Sequence, residues 1–348
     1  MPAVWDLPDF DDHEFVHLVT DRATGLKAII AAHSTHLGPA MGGTRYWHYA
    51  DKETAVIDAL RLSRGMSYKN AMAGLPLGGG KAVILADDAT PKTPAYLGAF
   101  GRAITRLGGS YVTAEDVGIS VADIVAIAKE TKFIAGLPVE GGEAGGDPGP
   151  FTAYGVYLGV KAAAKQAFGN DDMAGRHVAI QGVGSVGGGV ARRLAADGAK
   201  LTLADFNADK ARALAAELGA ATVDKDAIMQ VPCDIFSPNA LGAILTSESV
   251  AALQAPVIAG GANNQLADAS VGQLVHDRGI VYTPDYVINA GGIINVGLEY
   301  LGQGSRAEVE QRIEQIPGRL AEIWAASKAQ NRPASEVADA MARKLIGR

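Results

Sequence analysis

Two lysines and a pair of carboxylates lie outside any solvated run of charge and could form a proton-transfer set. Lys69 stands in Tyr68-Lys69-Asn70, and Lys81 closes Gly78-Gly79-Gly80-Lys81. Consecutive glycines let a backbone come close against a ligand, and Ala82 to Ala86 then reads as a buried strand, which places Lys81 at a strand mouth. A lysine there, partly desolvated and near a second cation, would release its proton more readily and could act as a base near neutral pH; Lys69 is the candidate second cation. Glu115 and Asp116 follow a strand expected over Ser110 to Thr113 and add the acid. Spacing alone leaves a blander reading open, of surface lysines and a helix-capping turn.

A second constellation could hold a dinucleotide. The strand His177 to Gln181 runs into Gly182-Val183-Gly184-Ser185-Val186-Gly187, and a helical pattern continues through Leu194. In this arrangement the first glycine allows a tight turn, the second lets a pyrophosphate approach the backbone, and the third lets helix and strand pack closely. The phosphates then meet the unpaired N–H groups of a helix N-terminus. Asp205 closes the next strand about 20 residues on, where a carboxylate accepts from a ribose diol and repels a 2′-phosphate. NAD is therefore expected rather than NADP. The alternative is that the glycines only turn a corner and Asp205 caps the next helix.

These residues need two frameworks. Glu14 to Val19 and Leu26 to Ala32 read as a hairpin, followed by a helix over Lys52 to Met66, the strand after Lys81, a helix over Tyr96 to Leu107 and another over Val121 to Lys129. This is a mixed α/β domain, placed at 1–140. Gly136 to Pro150 breaks all periodicity and is the expected crossing to a second domain at 141–330. That domain opens with a helix from Thr152 to Phe168 and alternates strand and helix as a doubly wound Rossmann sheet does, with strands at 177–181, 200–204, 234–236, 257–259 and 281–282. The remaining residues, 331–348, are expected to form a helix that packs back on the first domain.

Composition excludes several classes. A formal charge of −7 leaves no basic face for nucleic acid. Cys233 is the single cysteine, so there is no intramolecular disulfide and no thiolate set for zinc, and no metal is expected. Neither a signal-like N-terminus nor an apolar stretch of about 18 residues occurs, so the expectation is a cytoplasmic protein with no membrane partner.

The runs Leu37-Gly38-Pro39-Ala40-Met41-Gly42-Gly43-Thr44-Arg45, Ala59 to Asn70, Gly78 to Lys81 and Thr113 to Gly118 resemble the Glu/Leu/Phe/Val dehydrogenase family, most of all its leucine-specific members. Thr152 to Val156, Gly261 to Leu266 and Pro284 to Gly292 extend the resemblance over nearly the whole chain. It implies NAD-dependent oxidative deamination of an apolar L-amino acid to a 2-oxo acid and ammonia, by a homo-oligomer whose first domain carries substrate, catalysis and assembly. Lys69 would bind the substrate carboxylate, Lys81 would activate water, and Asp116 would exchange protons with the amino nitrogen. Gly42 and Gly43 would border the substrate, Asn263 and Asn264 would position it, with Asn263 also near the nicotinamide, and Thr152 would contact the carboxamide. Met41, Ala114, Ile293 and Val296 would line the side-chain pocket, where a second carboxylate would be buried unpaired. An aliphatic, leucine-like substrate is thus expected, an aromatic one is the alternative, and a catalytically silent NAD sensor is the more remote reading. Gly297 to Leu301 departs from the leucine-type pattern and is expected to reshape the pocket wall.

Overall fold

The computed structural model describes residues 3–139, 143–302 and 304–348. The chain divides into two compact units: Met1–Asp147 with Ile293–Val309 and Ala342–Arg348, and Pro148–Gly292 with Glu310–Met341. The boundary expected between 140 and 141, and the glycines at 141 and 142 within the expected crossing, lie outside the described residues.

The first unit's hairpin is β1 (Phe15–Asp21) and β2 (Leu26–Ser34), paired antiparallel. Its turn is made by Asp21 Oδ1, which accepts from the Thr24 N–H at 2.9 Å, and by Gly25 at φ 75°. Two short strands the sequence reading did not separate follow, β3 (Ala40–Met41) and β4 (Thr44–Trp47). Helix α1 (Lys52–Met72) begins at Asp51, whose carboxylate accepts from the Thr54 N–H, and runs past the expected end at Met66 to carry Lys69. Then come β5 (Gly78–Leu85), α2 (Pro94–Arg106), β6 (Tyr111–Val112) and α3 (Val121–Ala128), with α3 capped by Ser120. Among the described residues the sheet has the order β1-β2-β5-β3-β6, with β4 also beside β5.

Strand β5 corrects the expected position of Lys81. The glycines do not precede the strand but form its first half, and Lys81 sits inside it, paired with Ala31 of β2. The reason is steric. A Cβ on Gly78 would lie 2.0 Å from the Ser34 carbonyl oxygen, one on Gly79 2.0 Å from the Ser67 nitrogen, and one on Gly80 2.7 Å from the Tyr111 ring. The strand can pass between these groups only without side chains. Strand alternation then sorts the remaining residues. Ala82 and Ile84 pack with Phe100, Ile104, Ile124 and Ile127 of α2 and α3. Val83 packs with Ala55, Ala59 and Leu60 of α1, so Lys81, two residues before it, projects on the α1 face.

The second unit follows helix α4 (Gly149–Phe168) with β7 (His177–Gln181), α5 (Ser185–Ala196), β8 (Lys200–Ala204), α6 (Ala208–Leu218), β9 (Ala221–Thr222), β10 (Ile235–Pro238), α7 (Ser247–Ala252), β11 (Val257–Ile258), α8 (Ala269–Asp277) and β12 (Val281–Tyr282). The strands pair in parallel in the order β12-β11-β10-β7-β8-β9. Strand order reverses at β7, and in open parallel sheets such a switch point is where ligands bind. Helices α9 (Asp285–Ile288), α10 (Gly291–Tyr300), α11 (Arg306–Ile313), α12 (Ile316–Gln330) and α13 (Ala334–Leu345) complete the chain. Of the segment 331–348, residues through Met341 belong to the second unit and Ala342–Arg348 to the first, where the Arg348 guanidinium donates to the carbonyls of Asp12 and His33 at 2.8 Å. No helix among the described residues is long and apolar enough to cross a membrane.

Two glycine replacements separate these steric demands. Gly79→Ala should lower stability by about 3 kcal/mol or more, because strand or helix must move. Gly65→Ala, in α1 with open space around it, should raise stability by about 0.5–1 kcal/mol. Urea unfolding midpoints of the two variants measure both effects, and similar midpoints would contradict this account of β5.

Candidate active site

The proton-transfer set forms where two backbones run bare against each other. Met41 pairs with Gly79 and Thr44 with Ala82, so Gly42 and Gly43 fall opposite Gly80 and Lys81, in the break between β3 and β4. A Cβ on Gly42 would lie 1.9 Å from the Gly80 oxygen, and one on Gly43 2.3 Å from the Glu115 oxygen and 3.0 Å from the Asp116 Cβ. The buried Tyr111 hydroxyl donates to the Gly42 carbonyl at 2.6 Å and fixes this seam from the opposite face of the sheet.

Lys81, 6% exposed, bonds through Nζ to Asp116 Oδ2. Of the second cation and the acid expected beside Lys81, it is the acid that Nζ meets. Asp116 Oδ1 accepts from the Val117 N–H at 2.7 Å. Burial by itself would raise the Asp116 pKa; the charge and hydrogen bond of Lys81, then Arg45 and the Val117 N–H, outweigh it and hold the carboxyl below its ordinary range. Asp116 is not a helix cap, since Ser120 fills that position for α3. An ammonium and a carboxylate in direct contact can pass a proton between them and to a third group placed beside them.

Lys69 is half-buried near the C-terminal end of α1. Its neighbour Asn70 is fully buried and donates to the Gly78 carbonyl at 2.6 Å and the Met41 carbonyl at 3.3 Å, which ties this turn of helix to both sides of the glycine seam. Met41 and Val296 share an apolar cluster with Leu75, Leu77, Val112 and Ala135, with half-buried Ile293 against it. Leu75, Leu77, Val112 and Ala135 were not singled out in the sequence, although the two leucines flank Pro76 immediately before the glycines. Ala114 is buried but lies outside this cluster, and its carbonyl accepts from the Thr44 N–H at 2.9 Å. Helix α10 has two working faces here. Gly297 meets Leu75 and Leu77, where a Cβ would come within 3.2 Å of each. Asn295 holds both the N–H and the carbonyl of Gly145 at 2.9 Å, and Glu299 accepts from the N–H groups of Gly136 and Leu137.

In the second unit the three fingerprint glycines differ as their expected roles require. Gly182 has φ 86°, Gly187 approaches the Gly182 carbonyl so closely that a Cβ would lie 1.9 Å from it, and Gly184 faces open space. Gly184 is the N-cap of α5 and supplies no side-chain cap to its first N–H groups. Val183 is buried, Ser185 exposed and Val186 half-buried around this turn. Asp205 Oδ2 accepts from the Val183 N–H at 2.7 Å, and Oδ1 from the Asn207 N–H at 2.9 Å. The cap of α6 is Asn207, not Asp205. Each carboxylate oxygen retains a lone pair for a ribose hydroxyl, so the open cradle and the adjacent acid fit an NAD adenosine diphosphate.

The other positions expected to meet substrate or cofactor also fall in this unit. Asn263 and Asn264 are exposed, Asn264 at φ 51°, and the buried Asn289 donates to Asn263 Oδ1 at 2.8 Å. Thr152 Oγ1 donates to the Pro148 carbonyl at 3.0 Å, and the Gly292 backbone passes beside it. Arg45 and Asp58, joined at 2.8 Å beside Asp116, are further members of the first unit's site that the sequence reading did not assign. The clue available was an arginine two residues after the bare Gly42-Gly43 pair.

Because folding holds the Asp116 carboxyl below its ordinary value of 3.8, its stabilising contribution is complete above that value and disappears as pH falls through the lower folded one. Asp116→Asn should cost about 3 kcal/mol or more at pH 7, where it strands the buried Lys81 charge, and the deficit relative to the parent should narrow toward pH 2. Urea unfolding at both pH values checks this; a constant deficit would mean that the Lys81–Asp116 pair is not its source.

Residues 13–133 match the model of the Glu/Leu/Phe/Val dehydrogenase, dimerisation domain. Residues 202–345 match that of the Glutamate/Leucine/Phenylalanine/Valine dehydrogenase. The chain is 50% identical over 335 residues to a leucine dehydrogenase of Geobacillus stearothermophilus, covering 96% of this chain and 91% of that protein. It is 49% identical over 297 residues to a valine dehydrogenase of Streptomyces albus, covering 84% and 81%. The crystal structure of L-tryptophan dehydrogenase from Nostoc punctiforme matches with a TM-score of 0.84 at 40% identity, over 96% of each chain. Kinship at this level agrees with a mixed α/β first unit and a parallel sheet in the second, and the chain belongs to the Glu/Leu/Phe/Val dehydrogenase family.

Proposed function

We propose that the protein catalyses the reversible, NAD-dependent oxidative deamination of a branched-chain aliphatic L-amino acid, leucine or a close analogue, to its 2-oxo acid and ammonia. The observation that carries this reading is the Lys81–Asp116 pair, set in the α1 face of the sheet opposite the bare Gly42–Gly43 backbone. The leucine and valine dehydrogenases related to the chain support the substrate class.

Each residue then has a task suited to its chemistry. Lys69 offers a point charge on a flexible stem to the α-carboxylate. Asp116 takes and returns protons at the amino nitrogen, and Lys81, passing its own proton to solvent or to Asp116, draws one from the water that attacks the imine carbon. Gly42 and Gly43 present bare backbone to the substrate, with Asn263 and Asn264 as further positioning groups. The Gly182 to Gly187 turn and Asp205 would hold the cofactor's diphosphate and ribose, and Thr152 and Asn263 its nicotinamide end. Bound NAD supplies the acceptor for the α-hydrogen and its electron pair.

Met41, Ala114, Ile293 and Val296 would form the side-chain pocket. Met41, Val296 and Ile293 lie in an apolar cluster, and a substrate γ-carboxylate buried unpaired against such side chains would be costly, which disfavours glutamate. The aromatic reading is kept for one reason, the 40% identity to a tryptophan dehydrogenase. We further propose a cytoplasmic homo-oligomer assembled through the first unit, since residues 13–133 match a dimerisation domain.

NADH formation measured with Leu, Val, Ile, Phe, Trp and Glu tests the assignment. Leu, Val and Ile should give the highest kcat/KM, Phe and Trp at least about tenfold less, and Glu none. Preference for Phe or Trp would establish the aromatic reading, and no turnover with any would leave an NAD-binding sensor. Lys81→Ala should abolish turnover in a folded protein, whereas Lys69→Ala should raise KM for the amino acid far more than it alters NADH binding by fluorescence titration.

A further inference from the structure

The Asp116 carboxylate faces two cations and is bonded to one. Its Oδ1 is pinned by the Val117 N–H, and its Oδ2 bonds to Lys81. On the other side of Oδ2 stands Arg45, with Nε 3.8 Å away. That Nε is buried and has no hydrogen-bond partner among the described residues. A shift of about 1 Å brings the pair to hydrogen-bond length.

The rest of the Arg45 side chain is held. Arg45 lies on β4 beside Val83 of β5, on the same face as Lys81. Its terminal nitrogen donates to Asp58 Oδ2 at 2.8 Å, and Asp58, 8% exposed on α1, also accepts from the Tyr49 hydroxyl at 2.6 Å and from Arg61 at 3.0 Å. With three donors on one carboxylate, Asp58 is a fixed anchor, and it holds the guanidinium with Nε 3.8 Å from Asp116 Oδ2. The charged and titratable groups around Asp116 are thus Lys81 from β5, Arg45 from β4 and the Tyr111 phenol from β6, with Asp58 and Arg61 of α1 acting through Arg45.

We infer that Arg45 is a positioning residue that takes over the Asp116 carboxylate whenever Lys81 releases it. The inference rests on the proposed roles of Lys81 and Asp116. To activate water, Lys81 must lose its proton, and when that proton goes to solvent the neutral amine no longer offers a charge to Asp116 Oδ2, which would leave that oxygen of a largely buried carboxylate without a cationic partner. Arginine can replace that partner throughout the cycle because a guanidinium does not deprotonate in proteins. The two cations therefore divide the work: Lys81 is free to exchange protons because Arg45 does not. A planar fork suits this division, with one nitrogen on Asp58 while Nε reaches Asp116, two separate points that a single ammonium nitrogen would have to serve at once.

Steady-state kinetics of the full-length enzyme across pH, with Arg45→Gln, Arg45→Lys, Asp58→Asn and Asp116→Asn, tests this. Removing a cation beside a carboxylate raises its pKa, so Arg45→Gln should move the acid limb of kcat upward by about one pH unit. It should also lower plateau kcat at least tenfold, with KM for the amino acid and NADH affinity changed less than threefold. Arg45→Lys should restore the acid limb to within half a unit but recover only part of kcat, and Asp58→Asn should shift both in the direction of Arg45→Gln, by less. If Arg45 merely ties β4 to α1, Arg45→Gln will lower the melting temperature while kcat and its pH profile stay as in the parent, and the inference falls. Should Arg45→Gln not fold, the Arg45→Lys and Asp58→Asn profiles decide by the same criteria. Asp116→Asn separates the two levels: inactivity with unmoved Arg45 variants overturns only this inference, whereas near-parental turnover overturns the role of Asp116 and the inference with it.

Discussion

The first unit is organised around a steric constraint, the absence of Cβ atoms along a line where five stretches of backbone meet. Gly42 and Gly43 lie against Gly80 and Glu115, and Gly78 and Gly79 lie against Ser34 and Ser67. Distances this short let a β-strand, an interrupted parallel neighbour and a helix share one small region. Lys81 emerges from that line on the α1 face of the sheet, where its Nζ meets Asp116. Asn70 and the Tyr111 hydroxyl then lock the same line from the helix and from the far face of the sheet.

Electrostatics is layered on that frame. A buried ammonium and a buried carboxylate are each costly to desolvate, and their contact offsets the cost only with good geometry. Here Asp116 is fixed through one oxygen by its neighbour's N–H, and the other oxygen faces cations on two strands. The dinucleotide unit solves a different problem with the same element type. Gly182 turns the chain at a positive φ and passes close to the Asn239–Ala240 backbone, Gly184 leaves the start of α5 without a side-chain cap, and the acid nearby is oriented by main-chain donors.

How much of this could be read from residues alone follows from the range of the forces involved. The strand at His177 to Gln181 and the helix after it were legible because local β preference, a glycine turn and helical periodicity agree there. Lys81 was placed at a strand mouth because three glycines argue against a strand; only the groups across the sheet, Ser34, Ser67 and Tyr111, make glycine obligatory. Strands β3 and β4 went unseen because each is shorter than a pattern can register and the break between them is itself a glycine pair. The Lys81–Asp116 contact was legible as residue types, whereas Arg45 and Asp58 were not, because a charged pair split between a short strand and an amphipathic helix looks like solvent-facing surface. Helix α13 divides between the units at Met341, and no periodicity tells a helix which surface its two ends will meet.

The double bond pattern of Asp205 has a consequence for how such a chain can change. One oxygen of this carboxylate holds the N–H of Val183, inside the glycine turn itself, while the group as a whole is the one that would read a ribose. An exchange made to admit a phosphorylated ribose therefore also removes a brace from the loop that receives the pyrophosphate. Cofactor preference and loop integrity are inherited together here, so a lineage or an engineer altering one must supply a new acceptor for Val183 at the same time.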